Sequence, residues 1–135
     1  MTRARTVGEV MSANPISIAE TASLAEAAKV LDSQKISGLP VLDASGALVG
    51  VLSQTDLVRV RANQQYVQNW PGLPVGRIMT APALTISVTA GIEEAARVMD
   101  ERRVHRLVVT DDAATPVGII SASDLVRSWL KQPDD

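Results

Sequence analysis

Apolar and polar positions follow one another along this chain in short blocks with the period of a helix or of a strand. A short helical turn is predicted at residues 7–11, and Pro15 then forces an extended segment at 16–18. A longer helix is predicted next, because Ser23 with Glu26 three residues later is a helix start signal. Its apolar side chains have the spacing of one helix face: Leu24, Ala27, Ala28 and Leu31.

Two short apolar runs follow that helix, at residues 38–42 and 48–52, with the polar sequence Asp-Ala-Ser-Gly at 43–46 between them. This pattern predicts a β-hairpin. The sequence Ser-Gln-Thr-Asp at 53–56 opens a last helix, which is predicted from residue 57 to about residue 68. The predicted order of elements is therefore β-α-β-β-α.

The whole pattern occurs twice, at a constant offset of 68 positions. Residues 7–11, Val-Gly-Glu-Val-Met, recur at 75–79 as Val-Gly-Arg-Ile-Met, and residues 50–53 recur at 118–121. The register holds without a gap between these ends, and the last helix of the second copy is predicted at 125–130. Self-similarity of this kind indicates two copies of one structural unit.

The repeat divides the chain into a first domain at 1–62, a linker at 63–74 and a second domain at 75–135. Each copy alone leaves one face of a three-stranded sheet uncovered, and so small a sheet is marginal by itself. We therefore predict an α/β (α+β) protein in which two β-α-β-β-α units pack sheet to sheet about a pseudo-twofold axis. The cleft left by this packing is the predicted ligand site.

Composition and charge exclude several classes of function for this chain. A net charge of -2 over 135 residues provides no broad basic face, so nucleic acid is not an expected partner. Cysteine is absent and His105 is the single histidine, which excludes disulfides, a cysteine nucleophile and a multi-histidine metal site. The chain has neither the apolar run of a signal peptide nor an apolar stretch of about 18 residues, so we expect a cytoplasmic protein with no membrane span.

The motifs resemble those of the CBS (cystathionine-β-synthase-type) domain family over residues 7–126. The resemblance is carried by Val-x-x-Val-Met at 7–11, Ile-Ser-Gly-Leu-Pro-Val-Leu-Asp at 36–43 and Gly-Val-Leu-Ser-x-x-Asp-Leu at 50–57, with their counterparts in the second copy. It implies a tandem regulatory module whose cleft holds AMP, ADP, ATP or S-adenosylmethionine. It also implies a flat, disc-like homodimer.

The sharpest motif is Ser53-x-x-Asp56 and its copy Ser121-x-x-Asp124. It places a hydroxyl and a carboxylate at a helix N-terminus, where unpaired backbone N–H groups and the helix dipole favour an anion. A carboxylate can accept from the adjacent hydroxyls of a ribose, and the resemblance implies this role for these four residues. The alternative is a capping box, in which Ser and Asp only stabilise the helix start.

The phosphate candidates are His105 and Arg106, which look like a His-Arg pair of the nucleotide-sensing subunit of AMP-activated protein kinase. Arg can hold a phosphate with two hydrogen bonds, and His adds a pH-dependent donor. Ser37 and Ser123 resemble smaller phosphate contacts of the family, so the second copy has the more complete site. The alternative for the basic run 102–106 is a solvated strand end.

The adenine candidates are aliphatic, and the resemblance assigns them to a slot that excludes water: Ile16, Ile36, Ala83 and Val104. The chain has no Phe, so recognition would rest on aliphatic packing and backbone hydrogen bonds. The same four residues are also ordinary core candidates.

These expectations lead to a nucleotide-sensing module that acts in trans on a partner protein. The positive charge that His105 and Arg106 can supply matches the phosphate charge of AMP or ADP better than that of ATP, although Mg²⁺ would shield the added charge of ATP. S-adenosylmethionine, which has no phosphate for Arg106, is the second choice, and a structural interaction domain with an empty cleft is the alternative. An enzyme is not predicted, because neither a nucleophile with its base nor a glycine-rich phosphate loop is present.

Overall fold

The computed structural model describes residues 5–13, 16–63 and 68–131. Its contacts divide the chain into two compact units, Ile16–Ala83 on one side and Met1–Pro15 with Leu84–Asp135 on the other. We name them the Asp56 unit and the Asp124 unit, after the acidic residue of the Ser-x-x-Asp motif in each. The predicted break at Pro15, and residues 64–67 of the predicted linker, lie outside the described residues.

Six α-helices and seven strands are described, with one 3₁₀ turn at Trp70–Gly72. The helices are α1 (Val7–Val10), α2 (Leu24–Gln34), α3 (Gln54–Ala62), α4 (Val75–Ile78), α5 (Ile92–Arg102) and α6 (Ala122–Leu130). The strands are β1 (Ser12–Ala13), β2 (Ile18–Ala19), β3 (Gly38–Leu42), β4 (Leu48–Ser53), β5 (Thr85–Ser87), β6 (Arg106–Thr110) and β7 (Pro116–Ser121). The predicted mixed α/β class and the β-α-β-β-α order of each repeat are confirmed.

The Asp56 unit has a three-stranded sheet in the order β2-β3-β4. Strands β2 and β3 are parallel and are joined by α2, whereas β3 and β4 form the predicted antiparallel hairpin. Helix α2 begins with the predicted capping box of Ser23 and Glu26, and it ends at Lys35, which has a left-handed backbone. The buried core combines this helix with the sheet, α3 and α4: Leu24, Ala27, Leu31, Leu39, Val41, Leu52, Val60 and Val75.

The Asp124 unit has a four-stranded sheet in the order β1-β7-β6-β5. Strands β5 and β6 are parallel, β6 and β7 form the second hairpin, and β1 adds an antiparallel edge. Its buried core is again aliphatic: Val7, Ile86, Ile92, Ala95, Met99, Leu107, Val109, Ile120 and Leu125. The predicted three-stranded sheet is thus present, with a fourth strand that the pattern did not indicate.

The two sequence repeats exchange their first segments. Val7 and Gly8, at the start of the first repeat, donate backbone hydrogen bonds to Ala90 and Val88 of the Asp124 unit. In the same way α4, at the start of the second repeat, lies in the Asp56 unit, where Val75 N–H donates to the Ala22 carbonyl at 2.8 Å. The compact units therefore differ from the repeats by this exchange, and the boundaries 1–62, 63–74 and 75–135 stay a prediction drawn from the sequence.

Two further expectations concern features beyond a single unit. Packing of the sheets about a pseudo-twofold axis, with a cleft between them, stays a prediction. Along the described part of the chain, no helix is both long and apolar enough to cross a membrane.

Candidate functional site

Each Ser-x-x-Asp motif lies where a strand ends and the next helix begins. The Ser53 hydroxyl accepts from the backbone N–H of Asp56 at 3.2 Å, and the Asp56 carboxylate accepts from the backbone N–H of Ser53 at 2.9 Å. Ser121 and Asp124 repeat these two hydrogen bonds at 3.2 and 2.8 Å. The capping-box interpretation is therefore confirmed in both units, and the box holds each carboxylate over the first turn of its helix.

An arginine one turn along each helix also contacts the motif carboxylate. Arg59 Nη1 lies 3.1 Å from Asp56 Oδ1, and Arg127 Nη1 lies 3.1 Å from Asp124 Oδ1. Both arginine side chains are largely exposed, so solvent screens the pairs and their main effect is on the orientation of the carboxylate. Sequence reasoning missed these residues, although Asp-Leu-Val-Arg occurs in both copies and has the spacing of neighbours on a helix.

The two carboxylates differ in their remaining contacts. Asp56, which is 3% exposed, also accepts from the Ser53 hydroxyl at 3.1 Å and from the Thr80 hydroxyl at 3.3 Å. Asp124 is 8% exposed, and in its unit the Ser121 hydroxyl lies 3.0 Å from the Ser123 hydroxyl. Thr80 was not predicted as a site residue, because it precedes the second repeat's extended segment and reaches Asp56 only through the exchange of segments.

The phosphate candidates of the Asp124 unit lie beside its Ser-x-x-Asp motif. Arg106 is paired with Ser121 in the β6–β7 ladder, and the His105 carbonyl accepts from the backbone N–H of Ala122 at 2.8 Å. His105 is exposed and Arg106 is half-buried. The fold therefore brings the segment of His105 and Arg106 beside the start of α6, where Ser123 lies.

The matching place in the Asp56 unit is less charged. Gly38 pairs with Ser53 in the β3–β4 ladder, and the carbonyl of Ser37 accepts from the backbone N–H of Gln54 at 3.0 Å. Ser37 is half-buried, and this hydrogen bond places its backbone beside the start of α3. Its role toward phosphate stays a prediction.

The four adenine candidates occupy two kinds of position. Ile36 and Val104 are partly buried and pack against the cores of the Asp56 and Asp124 units, so their role as core residues is confirmed. Ile16 and Ala83 are the first and last residues of the Asp56 unit, and Ile16 is 38% exposed. A role in base recognition stays a prediction for all four.

A shallow cavity of about 140 Å³ opens beside Asp124 within its own unit. The other side chains around it come from the N-terminal segment and from α6 and its end: Arg5, Glu9, Val10, Arg127, Ser128 and Lys131. Arg5 Nη1 donates to the Ser128 carbonyl at 3.3 Å and so connects the two segments. The Asp124 carboxylate therefore borders open space that also faces cationic side chains.

A family model described as the CBS domain matches the chain twice, at residues 7–63 and 75–131. The chain belongs to the CBS domain family. The resemblance inferred from the motifs is thereby confirmed, and the two Ser-x-x-Asp helix starts are equivalent positions of two CBS repeats.

Two solved CBS domain structures cover nearly the whole chain. The crystal structure of CBSX2 in complex with AMP is 33% identical, with a TM-score of 0.77 over 93% of this chain and 96% of that chain. The CBS domain pair of protein MJ0100, in complex with 5′-methylthioadenosine and S-adenosyl-L-methionine, is 27% identical, with a TM-score of 0.84 over 96% and 98% of the two chains. CBS domain pairs similar to this chain thus hold adenosine-type ligands.

Curated relatives include longer proteins. An inosine-5′-monophosphate dehydrogenase of Nitrosopumilus maritimus is 27% identical over 121 residues, which are 90% of this chain and 24% of that enzyme. The chain spans about a quarter of the length of such enzymes, and 64% of the length of the chloroplastic CBS domain-containing protein CBSX2 of Arabidopsis thaliana. What is shared with the enzymes is therefore the CBS pair.

Proposed function

We propose that this chain is a regulatory CBS pair that binds an adenine nucleotide, AMP or ADP in preference to ATP, and thereby controls a partner protein in trans. The observation that carries the proposal is the buried Asp124 carboxylate at the start of α6, with Arg106 and His105 at the adjoining start of β6. The AMP complex of CBSX2, which is 33% identical over 93% of this chain, supports the choice of ligand.

Each part of a nucleotide has a proposed partner. The motif carboxylates accept from the ribose hydroxyls, because an ionised carboxylate only accepts hydrogen bonds and has room for two donors on neighbouring carbons. Arg106 and His105, with the hydroxyls of Ser37 and Ser123, donate to phosphate. The aliphatic residues proposed for the adenine ring are Ile16, Ile36, Ala83 and Val104.

The charges favour a short phosphate chain. Arg106 supplies one permanent positive charge and His105 a conditional one, which match a monophosphate or diphosphate better than a triphosphate. ATP would carry further negative charge into the site, and Mg²⁺ would offset part of it. AMP and ADP are therefore expected to bind more tightly than ATP without Mg²⁺.

Calorimetric titration tests the ligand and the role of Arg106 together. Purified, nucleotide-free protein is titrated with AMP, ADP, ATP with and without Mg²⁺, and adenosine. Arg106→Gln should lower the affinity for AMP by about tenfold or more and leave that for adenosine nearly unchanged, since a charged hydrogen bond contributes about 1.5–3 kcal/mol. Arg102→Gln, at the exposed end of α5, is the matched control and should bind both ligands like the unmodified chain. Absence of any binding would overturn the nucleotide proposal.

S-adenosylmethionine is the second candidate, because the MJ0100 CBS pair, with a TM-score of 0.84, is a complex with that compound and 5′-methylthioadenosine. Both contain the adenosine group that the Ser-x-x-Asp motif would bind, but neither has a phosphate for Arg106. Titration with S-adenosylmethionine distinguishes the two candidates. If it binds more tightly than AMP, and Arg106→Gln does not weaken it, the ligand class is the sulfonium nucleoside rather than the nucleotide.

Regulation in trans requires a partner that distinguishes the free and the bound states. Affinity capture from a cell extract, with and without saturating AMP, should recover a protein in only one of the two conditions. Bound ATP should remain intact, so release of inorganic phosphate from purified protein would contradict a non-catalytic module. Light scattering tests the proposed homodimer, and the cytoplasmic location stays a prediction.

A further inference from the structure

The two motif carboxylates differ in how many hydrogen bonds they already accept. An ionised carboxylate has about four lone-pair positions on its two oxygens. Asp56 has four donors within 3.3 Å: Ser53 N–H, the Ser53 hydroxyl, Arg59 Nη1 and the Thr80 hydroxyl. Its capacity to accept is therefore filled by its own unit, and it is almost completely buried.

Asp124 accepts from fewer groups. Among the hydrogen bonds of the described residues, its donors are Ser121 N–H at 2.8 Å and Arg127 Nη1 at 3.1 Å. The Ser121 hydroxyl, whose counterpart in the Asp56 unit lies 3.1 Å from the carboxylate, is instead 3.0 Å from the Ser123 hydroxyl. About two acceptor positions on Asp124 thus remain for an incoming ligand, as many as the two hydroxyls of a ribose require.

The difference arises from one residue that belongs to the exchanged segments. Thr80 is fixed beside β4 by two backbone hydrogen bonds with Val51, at 2.9 and 3.0 Å, which place its hydroxyl on the Asp56 carboxylate. Its counterpart in the repeat is Ser12, which pairs with Ile119 in the same register and is exposed, as Thr80 is. Among the hydrogen bonds of the described residues, however, the Ser12 hydroxyl makes none to Asp124. A threonine side chain is more restricted in rotation than a serine side chain, so Thr80 holds its hydroxyl in place more firmly.

We propose that this CBS pair takes one adenosine ligand per chain, at Asp124, and that Thr80 closes the equivalent position at Asp56. The inference rests on the proposed function and specifies which of its two motifs is used. A ribose at Asp56 would have to displace the hydroxyls of both Thr80 and Ser53 from a buried carboxylate. At Asp124 it meets unused acceptor positions beside an open cavity of about 140 Å³, whose charged lining besides Asp124 is Arg5, Glu9, Arg127 and Lys131.

The stoichiometry of binding tests this proposal. Calorimetry with AMP, and with S-adenosylmethionine in parallel, should give one site per chain, and Asp124→Asn should abolish binding. Thr80→Val removes the hydroxyl and keeps the shape of the side chain, which frees one acceptor position on Asp56. Rotation of the Ser53 hydroxyl away from the carboxylate, the arrangement that its counterpart Ser121 already has, frees the second, so the stoichiometry should rise to two. The double variant Thr80→Val with Asp124→Asn should then bind one ligand, at Asp56.

Ser12→Ala is the matched control, because Ser12 holds the position of Thr80 in the other unit, and it should leave the stoichiometry at one. Circular dichroism and thermal melts establish that each variant is folded. Two sites in the unmodified chain, or unchanged binding in Asp124→Asn, would overturn the proposal, and so would a stoichiometry of one in Thr80→Val. If no ligand binds to either the unmodified chain or Thr80→Val, it is the proposed function itself that fails.

Discussion

At the scale of single residues, the two hairpin turns place different residues in the same left-handed conformation. Gly46 has a φ of 88° and its counterpart Ala114 a φ of 63°. A side chain in this region costs about 1–2 kcal/mol, whereas glycine adds about 0.4–1 kcal/mol of entropy to the unfolded chain. Ala114→Gly is therefore expected to raise the free energy of unfolding by up to about 1 kcal/mol, as measured by urea denaturation.

Gly46→Ala is the matched reverse change. A Cβ at Gly46 would have no atom within 4 Å, so its effect should be purely conformational. The substitution should lower the free energy of unfolding by about the amount that Ala114→Gly adds. If both substitutions destabilise the protein, the backbone conformation is not what distinguishes the two turns.

The same turn contains a carboxyl group with an altered pKa. The Ser45 hydroxyl, at 2.6 Å, is the main cause that lowers the pKa of Asp43, and the Ala47 N–H at 3.0 Å adds to it. A lowered pKa in the folded state stabilises the protein above the ordinary value of about 3.8, and this contribution is lost as the pH falls through the folded-state pKa. In an NMR titration, Ser45→Ala should move the pKa of Asp43 upward toward its ordinary value. No upward movement would show that the backbone donors alone set it.

The site residues that could be predicted are those whose local spacing recurs in both repeats. Ser53 and Asp56 were recognised because their spacing has a local meaning, and both the capping box and the position beside β3 follow from it. Arg59 was equally visible, as the fourth residue of the repeated Asp-Leu-Val-Arg. Thr80 was not, because its contact with Asp56 depends on which unit receives the segment before the second repeat, and local spacing does not determine that.

At the scale of elements, the capping signals were predicted correctly, but the bounds of the last helix of each repeat were less accurate: α3 and α6 begin at Gln54 and Ala122, three residues before the predicted 57 and 125. The capping box at Ser23 correctly locates the start of α2, since hydrogen bonds between side chain and backbone are local. The predicted helix from residue 57 to about residue 68 was wrong at its C-terminal end: α3 ends at Ala62. No glycine or proline marks that end, and polar residues that a helix also accepts follow at 63–65.

Close backbone approach explains a glycine in the last strand of the Asp124 unit. A Cβ on Gly118 would meet the Met11 sulfur and would lie 2.8 Å from the Ser12 carbonyl oxygen, so β1 could not pair with β7 as it does. Gly118→Ala is therefore expected to lower the free energy of unfolding by about 1–3 kcal/mol, the usual cost of overpacking. Urea denaturation measures this change.

Gly72→Ala is the control for that substitution. Gly72 lies in the 3₁₀ turn, and a Cβ there would have no atom within 4 Å. Its effect should stay within about 0.5 kcal/mol of zero, as for other exposed sites. Equal losses in the two variants would indicate that glycine flexibility, and not contact with β1, is what matters at Gly118.

At the scale of the whole molecule, the exchange of first segments means that sequence neighbours do not always share a core. Val7 belongs to the first repeat but is fully buried in the core of the Asp124 unit, and Val75 belongs to the second repeat but is fully buried in the core of the Asp56 unit. The repeat register predicts two equivalent units. The register would be the same if each first segment packed in the unit of its own repeat or in the other unit. Only packing decides between these arrangements.

A crossed pair of substitutions tests this arrangement. Val7→Ala removes buried methyl groups from the Asp124 core and is expected to cost about 2 kcal/mol. Because proteins also open in parts, native-state hydrogen exchange should speed up in β6 and β7, which lie about 100 residues along the chain from the substitution. Val75→Ala should instead speed up exchange in β3 and β4. If each variant loosens the strands of its own repeat, the segments are not exchanged in solution, and Thr80 could not then close the site at Asp56.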